Sequence, residues 1–294
     1  MNPIQGRTDA MWASSPIGSR LSRGLILLAL SVMLAIGALA CERNILREFS
    51  KLDRDEALLF DARKALSSGN YELALEKFAL LSPAFAARRD VVAIRASAYA
   101  GRCGLDFLGL VVALGDMGSQ RLFPFFMSTY VGAEIEDMEA CLEAEDLLNS
   151  LGAVPEDRMV DENLLMVFMS FVKMGRVLSF FADTNDDGQM DPGFDACNIA
   201  DFPDQAVAEV ATGLANVLTS LAAAGTDIAG SQLTLITSIC DQIDAINPNY
   251  NFCAITNRDN LTADHIRGVR TLVNEDQAIG LGSCMGDIVT CLCL

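Results

Sequence analysis

Apolar positions recur along this chain at steps of three and four, and almost nowhere alternate with the period of two that marks a strand. The pattern predicts helices nearly throughout. Asp55 to Ser67 forms one helix, Ser68-Gly69-Asn70 breaks it, and Tyr71 to Leu81 forms a second that ends before Pro83. A third starts at Ala87 and runs through Ala96-Ser97-Ala98-Tyr99-Ala100-Gly101. Glu134 to Leu151 carries an apolar stripe through Ile135, Met138, Leu142 and Leu147 or Leu148, interrupted once at Glu145. Its other face bears Glu134, Glu136, Asp137, Glu139, Glu143 and Asp146, which reads as a solvated surface. Asp161 to Phe181 is apolar enough for a central core helix, with Met159, Met166, Met169 and Met174 filling core gaps. Helices from Asp204 to Ala222 and from Ser231 to Ile246 follow, and Thr262 caps one that turns Ile266, Val269 and Leu272 or Val273 inward. The cluster Phe123-Pro124-Phe125-Phe126-Met127 belongs in a core. Asp276 to Leu294 is weakly specified and reads as a short helix with a cysteine-tied tail. The fold class is all-α.

One apolar run does not fit a globular helix. Gly24 to Ala40 follows Arg7, Arg20 and Arg23 and ends in Gly37-Ala38-Leu39-Ala40-Cys41. A basic region, an apolar region and small residues before a cleavage point describe a secretory leader over 1–40. At about the lower limit of the 17–25 residues that span a bilayer, the run is short for an uncut anchor. With a cysteine at the cut, the leader resembles that of bacterial lipoproteins, in which the cysteine takes lipid and becomes the mature N-terminus. The resemblance implies lipidation at Cys41, membrane attachment through that lipid and, from Glu42, sorting to the periplasmic side of the outer membrane. Ala38 stands where that family prefers Leu, and Ala38-Leu39-Ala40 equally suits cleavage to a secreted or soluble periplasmic protein.

Losing 1–40 removes three arginines and Asp9, leaving 18 Lys and Arg against 38 Asp and Glu, a formal charge of −20. So acidic a surface repels phosphate backbones and anionic headgroups, which argues against nucleic acid and for cations or basic protein surfaces. Besides Cys41, eight cysteines remain: Cys103, Cys141, Cys197, Cys240, Cys253, Cys284, Cys291 and Cys293. An even number in an oxidising compartment suggests disulfides, most of them in the C-terminal half. Cys103 and Cys141, on predicted helices, could equally be buried thiols. No C-x-x-C pair occurs and His265 has no second histidine, so a structural zinc lacks ligands.

The run Gly69-Asn70-Tyr71-Glu72-x-Ala74-x-x-x-Phe78-x-x-Leu81 resembles the turn and second helix of a tetratricopeptide repeat. In that family the glycine makes the turn, the tyrosine packs into it and the small Ala lets the paired helix approach. The resemblance covers about Asp55 to Leu114, with Gly104-Leu105-Asp106-Phe107 as a loose second turn; a tight helix hairpin explains the same residues. It divides the mature chain into a repeat-like region, 41–125, and a further helical region, 126–294.

One segment carries specific chemistry. Asp183-Thr184-Asn185-Asp186-Asp187-Gly188-Gln189-Met190-Asp191 places oxygen side chains at positions one, three, five and nine and glycine at six, the spacing of a calcium loop. Phe194 replaces the bidentate Glu of position twelve, and Pro192 obstructs an outgoing helix. The segment resembles the open loops of thrombospondin type 3 repeats and dockerins. That resemblance implies a Ca2+ site over 183–195 held by the side chains of Asp183, Asn185, Asp187 and Asp191, the carbonyl of Gln189 and, in completion, Asp195. Such extracellular sites bind at ~10⁻⁴ to 10⁻³ M, suiting a structural clamp. A capped polar loop without an ion fits the same residues.

Catalytic signatures are missing: there is no G-x-S-x-G, H-E-x-x-H or phosphate-cradling glycine loop. The expectation is therefore a non-enzymatic, envelope-anchored helical scaffold that holds a protein or peptide partner, in a groove around Tyr71, Phe78 and Tyr99. A second expectation is a ligand-binding accessory to a membrane transporter, which resembles the repeat-containing lipoproteins of TRAP-type systems. A third, a carboxylate-based hydrolase, requires two buried acidic residues facing a cleft outside the Asp183 loop.

Overall fold

The computed structural model describes residues 46–225 and 230–293. The leader and Cys41 lie outside them. Contacts divide the chain into two units, Met1–Arg54 and Asp55–Leu294, and every side-chain contact and cleft described below belongs to the second. The described residues form helices and no strand, as the three- and four-residue periodicity requires.

The first helices are α1 (Leu46–Ser67), α2 (Tyr71–Ala79), the short α3 (Pro83–Ala86) and α4 (Arg89–Arg102). Gly69, at φ 73°, turns the chain after α1, a left-handed conformation that a Cβ would strain. Asn70 then caps α2 by accepting from the Leu73 amide. Asp55 ties α1 to the start of α3 by accepting from the amide and hydroxyl of Ser82. Leu59, Ala62, Ala74, Phe78, Phe85 and Ala98 close a small core among these elements. Tyr71 lies across Gly101 of α4, where an added Cβ would stand 2.2 Å from the ring.

A second turn follows at Gly104, and Asp106 caps α5 (Phe107–Asp116) through the Gly109 amide. Next come α6 (Leu122–Thr129), α7 (Ile135–Leu151), α8 (Val160–Ala182), α9 (Asp204–Ala224), α10 (Gly230–Ile246) and α11 (Ala263–Asn274). The Phe-Pro-Phe-Phe-Met cluster forms α6, where Phe123, Phe125, Phe126 and Met127 are buried and Pro124 falls in the first turns. The position 125/126 lies inside this helix.

The main core is organised around α8, which buries Met166, Met169 and Met174; Met159, expected with them, precedes the helix as its N-cap and is exposed. α8 packs along α9, α6 and α7, and Gly213 of α9 admits the side chain of Met174, which an added Cβ would meet at 2.6 Å. Both α8 and α9 are long and apolar enough to cross a membrane, yet 72% of each apolar window is buried inside this fold. α7 starts with reciprocal bonds between Glu134 and Asp137, and Thr262 caps α11 through the His265 amide.

All eight cysteines described above pair: Cys103 with Cys141, Cys197 with Cys293, Cys240 with Cys253 and Cys284 with Cys291. The bridge from the end of α4 to α7 settles the alternative left open for Cys103 and Cys141. The expected short helix after Asp276 does not form. Buried Glu275 accepts instead from the amides of Gln277, Ala278, Ile279 and Gly280, and Arg121 donates to the Gly280 carbonyl at 2.7 Å. A carboxylate that gathers four consecutive amides bends the backbone around itself and takes the donors a helix would use.

Candidate functional site

α8 delivers Asp183 to the start of the predicted calcium loop, 1% exposed. Its two carboxylate oxygens accept from the amides of Asp187 at 2.9 Å and Gly188 at 2.8 Å. Asn185 Oδ1 accepts from the Asp187 amide and Asp187 Oδ1 from the Gln189 amide. The bend needs left-handed backbone at Asp186, φ 59°, and at Gly188, φ 80°. Asp191 folds back to accept from the amide and hydroxyl of Thr184, and these bonds hold its carboxyl below the usual range. Asp195 turns away, accepting from the Cys197 amide while its own amide donates to Asp201.

The donor set is oxygen in kind and in the right order for a hard cation. Phe194 at position twelve is buried against Phe202 and offers nothing. Among the described residues no three His, Cys, Asp or Glu side chains converge at metal-holding distance. Amide capping alone is therefore the support present in this conformation, and Ca2+ would have to draw Asp183, Asn185, Asp187 and the Gln189 carbonyl around itself. Beside the loop, Phe180, Phe181, Pro192 and Asp186 border a cleft of about 730 Å³.

A second set of acidic residues lines a longer feature. Three clefts of about 570, 400 and 390 Å³ run beside α7. The first, at the α1–α2 turn, shares Arg102 and Glu136 with the next, which shares Asp146 and Arg258 with the last. Together they flank α7 from the turn at Tyr71 past Tyr99 to the loop 256–259. Of the three aromatic residues expected around a groove, Tyr71 borders the first cleft and Tyr99 the middle one, while Phe78 borders none of them and packs with Leu59 and Ala74 in the small core. Arg102 pairs with Glu72 at 2.9 Å, and Asp137 with Arg176 at 3.2 Å. Glu136, Glu139 and Glu143 line the groove exposed, with no ion pair among the described residues.

Beneath the same helix lies a charge cluster that the sequence signals only as an interruption in the α7 stripe. Lys173 of α8, 1% exposed, donates to Glu145 at 2.5 Å, to Glu209 of α9 at 3.0 Å and to the Thr212 hydroxyl at 2.8 Å. Asn216 donates to the second oxygen of Glu145, and Arg258 pairs with Glu209 at 3.0 Å from the groove side. Burial alone would lower the Lys173 ammonium, but the two adjacent carboxylates outweigh it and hold it above its ordinary value. Glu145 and Glu209 are the buried acid pair that a hydrolase reading calls for, and Glu145 borders the 390 Å³ cleft. Both carboxylates are engaged by cations.

No known protein family, curated protein or solved structure matches the chain.

Proposed function

We propose that this chain is an exported helical scaffold, anchored in the cell envelope through Cys41, that holds a protein or peptide partner in the groove along α7. The observation that supports this reading is the row of clefts flanking α7, bordered by the acidic residues Glu136, Glu139 and Glu143, which have no ion pair among the described residues. Exposed carboxylates three and four residues apart on one helix repel one another, by about 0.2–0.5 kcal/mol per pair. Retaining them on one face has a use where a basic surface covers them. The disulfides, the amide-capped Glu275 and a calcium-holding 183–195 loop keep the helices behind the groove fixed.

The test is affinity isolation from envelopes of the native host, using wild type and the combined variant Glu136→Lys, Glu139→Lys, Glu143→Lys as baits. The expected outcome is a partner retained by wild type and lost by the variant, with equal melting temperatures. Retention of the same partner by both baits would remove the groove from the account.

A further inference from the structure

We infer that the outer face of α5 is a lipid-contacting surface, lying in the interface of the bilayer to which the chain is tethered; this rests on the envelope-anchored reading and adds a second membrane contact to it. Three observations carry it. The first is composition. Between Asp106, which caps α5, and Asp116 at its end, the helix holds no charged or hydrogen-bonding side chain. Leu110 is buried, and Ala113 and Leu114 pack on the main core. The other side is apolar as well, yet open: Phe107 is 51% exposed, Leu108 74%, Val111 43% and Val112 64%. Leu108, Val111, Val112 and Gly115 form one helical stripe, and a Cβ added at Gly115 would meet nothing within 4 Å. A helix apolar on all sides belongs inside a core or in lipid, and among the described residues α5 packs along no other helix at length.

The second observation is reach. Fourteen residues separate Cys41 from Asp55, where the described unit begins, and fully extended they cover about 50 Å. A chain lipidated at Cys41 therefore keeps this unit beside a bilayer. A single lipid chain holds a protein only reversibly, and stable attachment takes a second contact. The third observation is area. The four open side chains expose on the order of 400 Å², against the roughly 800 Å² that each partner gives to a stable protein complex. The stripe is too small to hold a second copy of the chain, and it matches a helix that sinks about 5–10 Å into the boundary between headgroups and acyl chains. The formal charge of −20 repels anionic headgroups, so the bilayer that suits this face is zwitterionic.

The test places a tryptophan at Val112 and, in a second protein, at exposed Ile199, each with Trp12→Phe so that no native tryptophan remains. Both full chains are produced in the native host, where the leader is processed, and mixed with phosphatidylcholine vesicles with and without brominated acyl chains. Emission from position 112 should shift to the blue and be quenched by the brominated lipid, while position 199 does neither. Adding Leu108→Gln and Val111→Gln should abolish both signals at an unchanged melting temperature, and mixing phosphatidylglycerol into the vesicles should weaken them. Undiminished signals in that double variant, or equal quenching at 112 and 199, would overturn the inference. So would a blue shift at 112 without vesicles, which would place a second copy or another part of this chain on the face. Chains that sediment with the vesicles while position 112 stays in water overturn the inference and leave the anchor standing. If the chains do not sediment at all, both fall.

Discussion

The two sides of α7 bear the same residue types and treat them in opposite ways. Glu145 faces inward, 2% exposed, and every neighbour that could compensate it is in place: the Lys173 ammonium, the Asn216 amide and, through Glu209, Arg258. Glu136, Glu139 and Glu143 face outward with no ion pair among the described residues. Buried charge is tolerated only when it is paired, so the inner cluster is bound to the fold. Exposed charge contributes little to stability, so the outer set is free to serve a partner. The contrast separates residues whose loss should unfold the protein from residues whose loss should only silence it.

The largest effect is expected on the inner side. Lys173→Met leaves Glu145 and Glu209 facing each other without their shared cation, and should cost about 3–5 kcal/mol in urea unfolding. Its sign with pH is fixed by the raised ammonium. The stabilisation is fully present below the unfolded value of about 10.4 and disappears as pH rises through the higher folded value. The gap between wild type and Lys173→Met should therefore hold through neutral pH and close only in strong alkali. Next comes the bridge that pins α7 to the end of α4: replacing Cys103 and Cys141 by Ser opens a loop of sequence separation 38 and should cost about 2–4 kcal/mol by thermal melting.

A third group of carboxylates, in the 183–195 loop, sharpens the comparison, because backbone amides rather than cations support it. With a Kd of ~10⁻⁴ M, 1 mM Ca2+ should stabilise the chain by about 1.4 kcal/mol. Asp187→Ala should abolish that gain, as read by calorimetric titration and melting. Equal heats and equal melting temperatures for both proteins would remove the ion from the account. The smallest effect belongs to the outer side: Glu139→Gln should change stability by less than about 0.5 kcal/mol, and in the stabilising direction, since it relieves repulsion from Glu136 and Glu143.

The fold was legible where local rules decide it. Step-of-three-and-four periodicity gives α7, α8 and α9 to within about two residues, and Thr262 and Gly69 announce their cap and turn through their own chemistry. What escaped depends on residues far apart in the chain. Lys173 looks like one misplaced charge in an apolar run until Glu145, 28 residues away, and Glu209, 36 away, are brought to it. The pairing of eight cysteines has 105 solutions, and only the packing of α4 on α7 chooses Cys141 for Cys103. The tail misled because Glu275 reads as an ordinary helical Glu, while in the fold it collects the amides that follow it. In the candidate groove, the acidic face of α7 was visible but its enclosure was not. Tyr71, Tyr99 and Arg258 come from three separate elements.

The central claim, that the outer face of α7 is the holding surface, is tested most directly by a photo-crosslinking residue placed at Glu139 and, in a second protein, at the exposed Ile199, which does not line the groove. Irradiation in native envelopes should yield a discrete partner adduct from position 139 and none from 199. The same adducts from both positions, or none from 139 while the partner still co-purifies, would contradict it.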